Sequence, residues 1–299
     1  KPMNFNIGVI IFVIIFIYLV FNVFSYLTET HISVYEVEQG TIAVNNVYNG
    51  LILRDEKIIN SDYSGAVNYY VKEGSKVAYG DLVCSVDENG DVSNMINEAS
   101  QDGSTIDSEN LAEIEKTIND FLYAYDGKNY YQVYSFKDNV NASLSEALSV
   151  NALNDISDYV ASAENNNTFH KVITDVPGIV TYYTDGFENV TVDNFTAAMF
   201  DESSYSKNDL KTNPAIQAGS PEYKLIDSEY WNIIVPVPDA TAESLKDDDT
   251  IKIRFLKDAK EAYATYSIVG RDGQQYLILS LKSAMVRYVS ERYVEIELL

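Results

Sequence analysis

Basic residues, histidine and cysteine are scarce in this chain. Of its 299 residues, 21 are Lys or Arg against 45 Asp or Glu, a net charge of −24. Binding to nucleic acid draws on clustered cations that displace counterions from phosphates, and no such cluster occurs, so a nucleic-acid partner is excluded. The single cysteine, Cys84, rules out an intramolecular disulfide and a metal site built of cysteines. Two histidines, His31 and His170, are too few for a histidine metal cluster, and neither sits in a motif that marks it as a general base. No glycine-rich phosphate loop is present. With 45 carboxylates along the chain, acidic pairs arise everywhere and none singles out acid–base chemistry. These absences point to a protein that is not an enzyme, with no catalytic residue, no cofactor and no metal site. A 46% hydrophobic content nevertheless supports a folded chain of about two domains.

What is present begins with an apolar run. From Pro2 to Thr28 no residue is charged, and Ile7 to Leu27 is dominated by Ile, Val, Phe and Leu. About 20 such residues cross a hydrocarbon core of about 30 Å as a helix. Phe24, Tyr26 and Leu27 do not supply the small residues that signal-peptide cleavage needs. An uncleaved single-pass anchor is expected over residues 1–30, in contact with the lipid bilayer, with Tyr18 and Tyr26 near its interfaces. Lys1 before it and Glu29 after it favour an inside N-terminus, which places the later domains on the extracytoplasmic side of the cell membrane. The acidic remainder is repelled by anionic headgroups, which suits a domain held away from the bilayer.

Two distant segments read alike, Gly65-Ala66-Val67-Asn68-Tyr69-Tyr70 leading to Glu73-Gly74, and Gly178-Ile179-Val180-Thr181-Tyr182-Tyr183 leading to Asp185-Gly186. In each, a glycine opens a β-rich run, a Tyr pair continues it and an acidic-Gly dipeptide marks a tight turn. Each copy is too short to bury its own face, and two copies about a pseudo-twofold axis would form one small sandwich. The first copy continues through Gly80-Asp81-Leu82-Val83-Cys84-Ser85-Val86.

The run Gly-x-Val, x-Glu-Gly-x-x-Val, x-x-Gly-Asp-x-Val resembles the biotinyl/lipoyl half-motif. Its division into halves by a helical insertion resembles the HlyD-like membrane fusion proteins, or periplasmic adaptor subunits. Carrier domains of the lipoyl type bear a lysine at the turn between halves, whereas Val86-Asp87-Glu88-Asn89-Gly90 has none. That argues against a swinging-arm carrier and for an adaptor. The resemblance implies an inner-membrane transporter, of ABC type or another, as partner, self-association into a homo-oligomer, and a β-barrel after the lipoyl-like domain.

The insertion over 91–170 carries helical spacing. Leu111, Ile114, Ile118, Phe121, Leu122 and Tyr125 follow a cap at Asp107 or Ser108, and Asp126-Gly127 ends the first helix. Val140, Leu144, Leu148, Leu153, Ile156 and Val160 mark a second, with Tyr130, Tyr131, Val133, Tyr134 and Phe136 between them. A helix of about 20 residues reaches only about 30 Å, short for crossing a wide periplasm. Residues 195–220 read as a linker. Beyond them Trp231–Val237, the alternating Ile251, Ile253 and Phe255, a hairpin turning at Asp272-Gly273 and Tyr293–Leu298 read as strands of a small barrel.

The expected architecture is mainly β with a helical insertion: a transmembrane helix over 1–30, a split lipoyl-like (barrel-sandwich hybrid) domain over 31–90 and 171–194, a short α-hairpin over 91–170, a linker, and a β-barrel over 221–299. The expected role is that of a membrane-anchored adaptor of an efflux or export transporter, with a cell-envelope or cell-division scaffold as the alternative. One sharper motif remains. Asp87, Asn89, Asp91, Ser93 and Glu98 stand at EF-hand-like positions, but Val92 occupies the place of the required glycine, so a solvated connector is favoured over a calcium loop. Asp247-Asp248-Asp249 reads as a solvated turn before a strand.

Overall fold

The computed structural model describes residues 7–28, 46–101, 108–125, 130–245 and 249–299. Residues 1–45 and 46–299 separate into two units. In the first, α1 (Ile7–Thr28) has no basic or acidic residue in its terminal turns. Its described apolar run from Ile10 to Phe24 is interrupted only by Asn22, whose amide donates to the Tyr18 carbonyl. Among the described residues no helix is long and apolar enough to cross a membrane.

The second unit opens with the long strand β1 (Val47–Asn60), followed by β2 (Gly65–Tyr69), β3 (Lys76–Val77) and β4 (Leu82–Asp87). Four helices come next: α2 (Asp91–Gln101), α3 (Ser108–Ala124), α4 (Tyr130–Asp155) and α5 (Ser157–Asn165). The chain returns through β5 (Phe169–Ile173), β6 (Gly178–Thr181), β7 (Tyr183–Thr184), β8 (Asn208–Asp209) and β9 (Ala215–Ile216). It ends with β10 (Pro221–Val237), the short α6 (Asp239–Ser244), β11 (Thr250–Phe255), β12 (Glu261–Arg271), β13 (Gln274–Leu281) and β14 (Tyr293–Leu298).

Antiparallel neighbours run β1-β14-β11-β12-β13-β10, and β10 pairs back onto β1, so six strands close into a barrel. Closure leaves no open edge among them. Alternation decides which side chains face inward. Ile52, Ile233, Val235, Ile251, Ile253, Phe255, Ala264, Leu277, Leu279, Val294 and Ile296 bring all six strands into one buried cluster. Trp231 joins it, donating its indole N–H to the Ser283 carbonyl at 2.9 Å. The hairpin turns at Asp272-Gly273 as expected, with Arg271 opposite Gln274.

The sandwich is built from the two sequence copies. Strands β10, β6 and β3 continue the barrel sheet, and a second sheet runs β5-β4-β2-β9. Between them lie Val77, Val83, Cys84, Val180, Tyr182, Tyr223 and Leu225. The copies meet where Lys76 and Val77 pair with Ile179 and Gly178. A side chain at Gly178 would lie 2.7 Å from the Ile226 carbonyl oxygen, so only glycine allows β6 this close to β10. After Thr181 the second copy leaves this sheet, Tyr183-Thr184 pairing with Asn208-Asp209 instead, and Ala215-Ile216 pairs beside β2. Residues 187–194 lie outside the sandwich sheets.

In the insertion, Val92, Ile96, Ala152, Leu153, Val160 and Ala163 bury against Tyr70 and Phe169 of the sandwich. Farther out the expected apolar faces are largely uncovered. Ile114 is buried, but Leu111, Leu122 and Tyr125 are exposed. Two helices side by side can cover one seam only, and here Phe121 stacks on Phe136 at 4.0 Å. The aromatic segment expected between helices is instead the start of α4, and the second expected helix breaks at Ile156 into α4 and α5. Asp107 and Asp126-Gly127 lie outside the described residues.

Candidate functional site

Residues that no local motif connects converge where β1 and β10 pass from barrel to sandwich. The side chains of Arg54, Glu56, Asp185, Lys224 and Arg292 are fully buried and that of Glu188 nearly so. Lys224 Nζ lies 2.9 Å from Glu56 and 3.6 Å from Glu188. Arg292 binds Glu56 at 2.7 Å and Asp185 at 2.8 Å. Arg54 Nε stands 3.7 Å from Glu56, and its outer nitrogens donate to the carbonyls of Val289 and Glu291. Lys207 donates to the Ser290 carbonyl, and Tyr183 to Val289 at 2.7 Å. Tyr205 reaches Asp185 at 3.0 Å.

Three cations thus face three carboxylates. Burial by itself would push the Glu56 carboxyl up, but Arg292, Arg54 and Lys224 outweigh it and hold it below the usual range. Burial likewise opposes ionisation of Asp185, and the hydrogen bonds and charge of Arg292 reverse the balance. The carboxylates of Glu56, Asp185 and Glu188 lie close enough together to suggest a metal site. A divalent ion added to a buried cluster already balanced by Arg54, Lys224 and Arg292 would leave excess positive charge in low dielectric, so the arrangement suits structural ion pairing.

From this cluster residues 185–207 depart as a loop closed at its base by the β7–β8 pair. The segment, part of which was expected to be a linker, lies as a strap on the barrel's outer face. Val190 and Phe195 bury against Leu51, Leu53, Ile234, Tyr276 and Ile278. Arg271 donates to the carbonyls of Phe195 and Asp193 and sits 4.0 Å over the Phe195 ring. Tyr293 donates to the Met199 carbonyl at 2.8 Å.

The EF-hand-like residues do not surround a common point. Asp91, Ser93 and Glu98 lie on α2, which spreads them along an axis. Asp87 is buried and accepts the Ser93 backbone N–H at 2.8 Å, as a cap does. Gly90 turns the chain into α2 at the place where a carrier would present its lysine. His170 sits on the edge strand β5, stacked on Tyr63 and 3.1 Å from Glu88. Cys84 is buried in the sandwich against Glu222, and burial pushes its thiol up. Glu222 itself is 1% exposed with Oε1 unpartnered, and burial pushes its carboxyl up. His31, Asp247 and Asp248 lie outside the described residues, while the Asp249 carbonyl accepts from the backbone of Tyr266.

A family described as "RND related, barrel-sandwich hybrid domain" matches residues 56–227, more than half of the chain. The chain belongs to this family. The RND-related barrel-sandwich hybrid match starts within β1 and ends within β10, so it takes in the helical insertion and the strap. No curated protein matches the sequence. Among solved structures the chain is similar to ZneB from Cupriavidus metallidurans, with 9% identity, 84% of this chain and 96% of that chain covered, and a TM-score of 0.38. It is also similar to the membrane fusion protein Spr0693 from Streptococcus pneumoniae R6, with 13% identity, 85% and 98% covered and a TM-score of 0.28. For MacA from Actinobacillus actinomycetemcomitans the values are 16% identity, 84% and 77% covered, and a TM-score of 0.32. The assignment rests on the family match.

Proposed function

We propose that this protein is a non-catalytic adaptor, anchored in the cell membrane by the apolar segment around Ile7–Leu27 and standing on its extracytoplasmic side, that serves an efflux or export transporter. The observation that carries the reading is the split sandwich of an RND-related barrel-sandwich hybrid chain. At Asp87–Gly90 the turn has no lysine, and the chain departs into helices α2–α5, converting a carrier fold into a docking fold. An inner-membrane transporter of ABC type is the proposed partner, and a homo-oligomer the proposed working state. In this reading the sandwich proposed over 31–90 and 171–194 and the barrel proposed over 221–299 share β1 and β10.

A second reading, a cell-envelope or cell-division scaffold, draws on the short insertion. At 26 residues α4 reaches only about 39 Å. Crosslinking of the full-length protein in membranes, followed by purification and mass spectrometry, tests both. Recovery of a transporter permease or ATPase supports the adaptor. Recovery of division or wall-synthesis proteins without a transporter overturns it in favour of the scaffold.

A further inference from the structure

We infer that the buried six-charge cluster, together with Tyr205 and Lys207 at its edge, is a latch: it fastens the 185–207 strap to the barrel loop 289–292, and the strap opens as a unit when the latch is weakened. Three successive carbonyls of that loop are held from other elements. Val289 accepts from Arg54 and Tyr183, Ser290 from Lys207, and Glu291 from Arg54. Arg292, next in sequence, holds Asp185 at the start of the strap, and Tyr205 near its end donates to the same carboxylate. Lys207 also lies 4.5 Å over the Tyr183 ring at the strap's base. Both ends of the strap are therefore tied to one barrel loop.

The strap needs such a tie. Its own regular structure amounts to the short turns Ala197–Phe200 and Glu202–Ser204, neither of which has a buried residue. After Asp185 its buried residues are Glu188, Val190 and Phe195, and a segment held at so few points opens below the global unfolding free energy. Buried ion pairs add little net stability against well-packed apolar residues, but removing one partner strands the other, so they fix one arrangement against its alternatives. Beneath the strap lie Leu51, Leu53, Ile234, Tyr276 and Ile278, an apolar barrel face that its opening would wet.

Hydrogen exchange on the full chain in detergent tests the latch, using Tyr205→Phe and Lys207→Met, each of which removes one tie and leaves the ion pairs of Arg292 in place. In the unaltered protein, amides of 187–205 are expected to exchange through an opening separate from, and more frequent than, that of β10 and β13. Each variant should quicken exchange in 187–205 about tenfold, the equivalent of one hydrogen bond to a charged group, while β2, β4 and α2 stay unchanged. Strap amides protected as strongly as β10 in the unaltered protein would overturn the inference. So would variants that leave strap exchange unchanged, or that quicken all regions alike.

Discussion

Asp185 and Glu222 are both buried acids, and their surroundings drive them in opposite directions. Asp185 faces Arg292 and is held ionised. Its folded pKa lies below the unfolded one, so its stabilisation is complete above about pH 4 and disappears as pH falls through the folded value. Asp185→Asn should cost about 3 kcal/mol at pH 7, because Arg292 would be left partly unpaired, and should cost much less near pH 2; urea melts at the two pH values provide the check. Glu222 has no ion-pair partner among the described residues, and burial pushes its carboxyl up. Its folded pKa lies above the unfolded one, so stability falls as pH rises from about 4 through the folded value. Glu222→Gln, which removes the ionisation, should therefore stabilise the protein by about 1 kcal/mol at pH 8 and leave it unchanged at pH 4. A Tm that falls at pH 8 would count against this. Gly74 depends on backbone rather than charge. At φ +81° a side chain is strained, and its Cβ would sit 3.2 Å from Val289 Cγ1, so Gly74→Val should lower stability by about 2 kcal/mol, read from the melting of the purified protein.

At the scale of elements, the helical insertion divides into a covered and an uncovered part. Near the sandwich, α2, α4 and α5 share buried residues with Tyr70 and Phe169, whereas farther out Tyr123 is 97% exposed and the Phe121–Phe136 stack joins α3 to α4. Phe121→Ala should loosen α3 and the first turns of α4 by about 1 kcal/mol, visible as faster amide exchange there and not in β4 or β10. The elements that sequence made legible are those whose pattern is local. The alternation of Ile251, Ile253 and Phe255 identified β11, and the Gly-Tyr-Tyr copies identified β2 and β6. The strap had no such pattern, because what holds it is Arg271, Arg292 and Tyr293, far along the chain. Nor was the ion cluster legible, since Arg54, Glu56, Asp185, Glu188, Lys224 and Arg292 meet only through the pairing of β1 with β10 and the return of β14. A charge count of −24 conceals a cluster that is locally neutral.

At the scale of the whole molecule, the two β domains are interleaved rather than joined end to end. Leu51 to Arg54 of β1 pair with Trp231 to Ile234 in the barrel, while Glu56 to Ile59 pair with Tyr223 to Ile226 in the sandwich, and the register shift falls between Arg54 and Glu56 at the ion cluster. The barrel therefore borrows its closing strand from a segment more than 160 residues before β10. A fragment of residues 221–299 contains five of the six strands but lacks β1, which would leave β10 and β14 as open edges and expose Leu277 and Ile296 through the gap. Such a fragment should aggregate or lack a cooperative melt. The same fragment with residues 46–60 joined ahead of Pro221 through a flexible linker recovers the β1 pairing on both sides and should give a soluble, cooperatively melting barrel, since loop closure over a short linker is a small cost against six strands of paired backbone. Size-exclusion chromatography and circular dichroism of the two fragments decide the matter. A folded monomer from 221–299 alone would show that the barrel is autonomous and that β1 belongs functionally to the sandwich. Rescue only by 46–60 would show that the barrel needs β1 but not the rest of the sandwich, so that β1 is a strand of the barrel in its own right and the sandwich is built onto a body that folds without it.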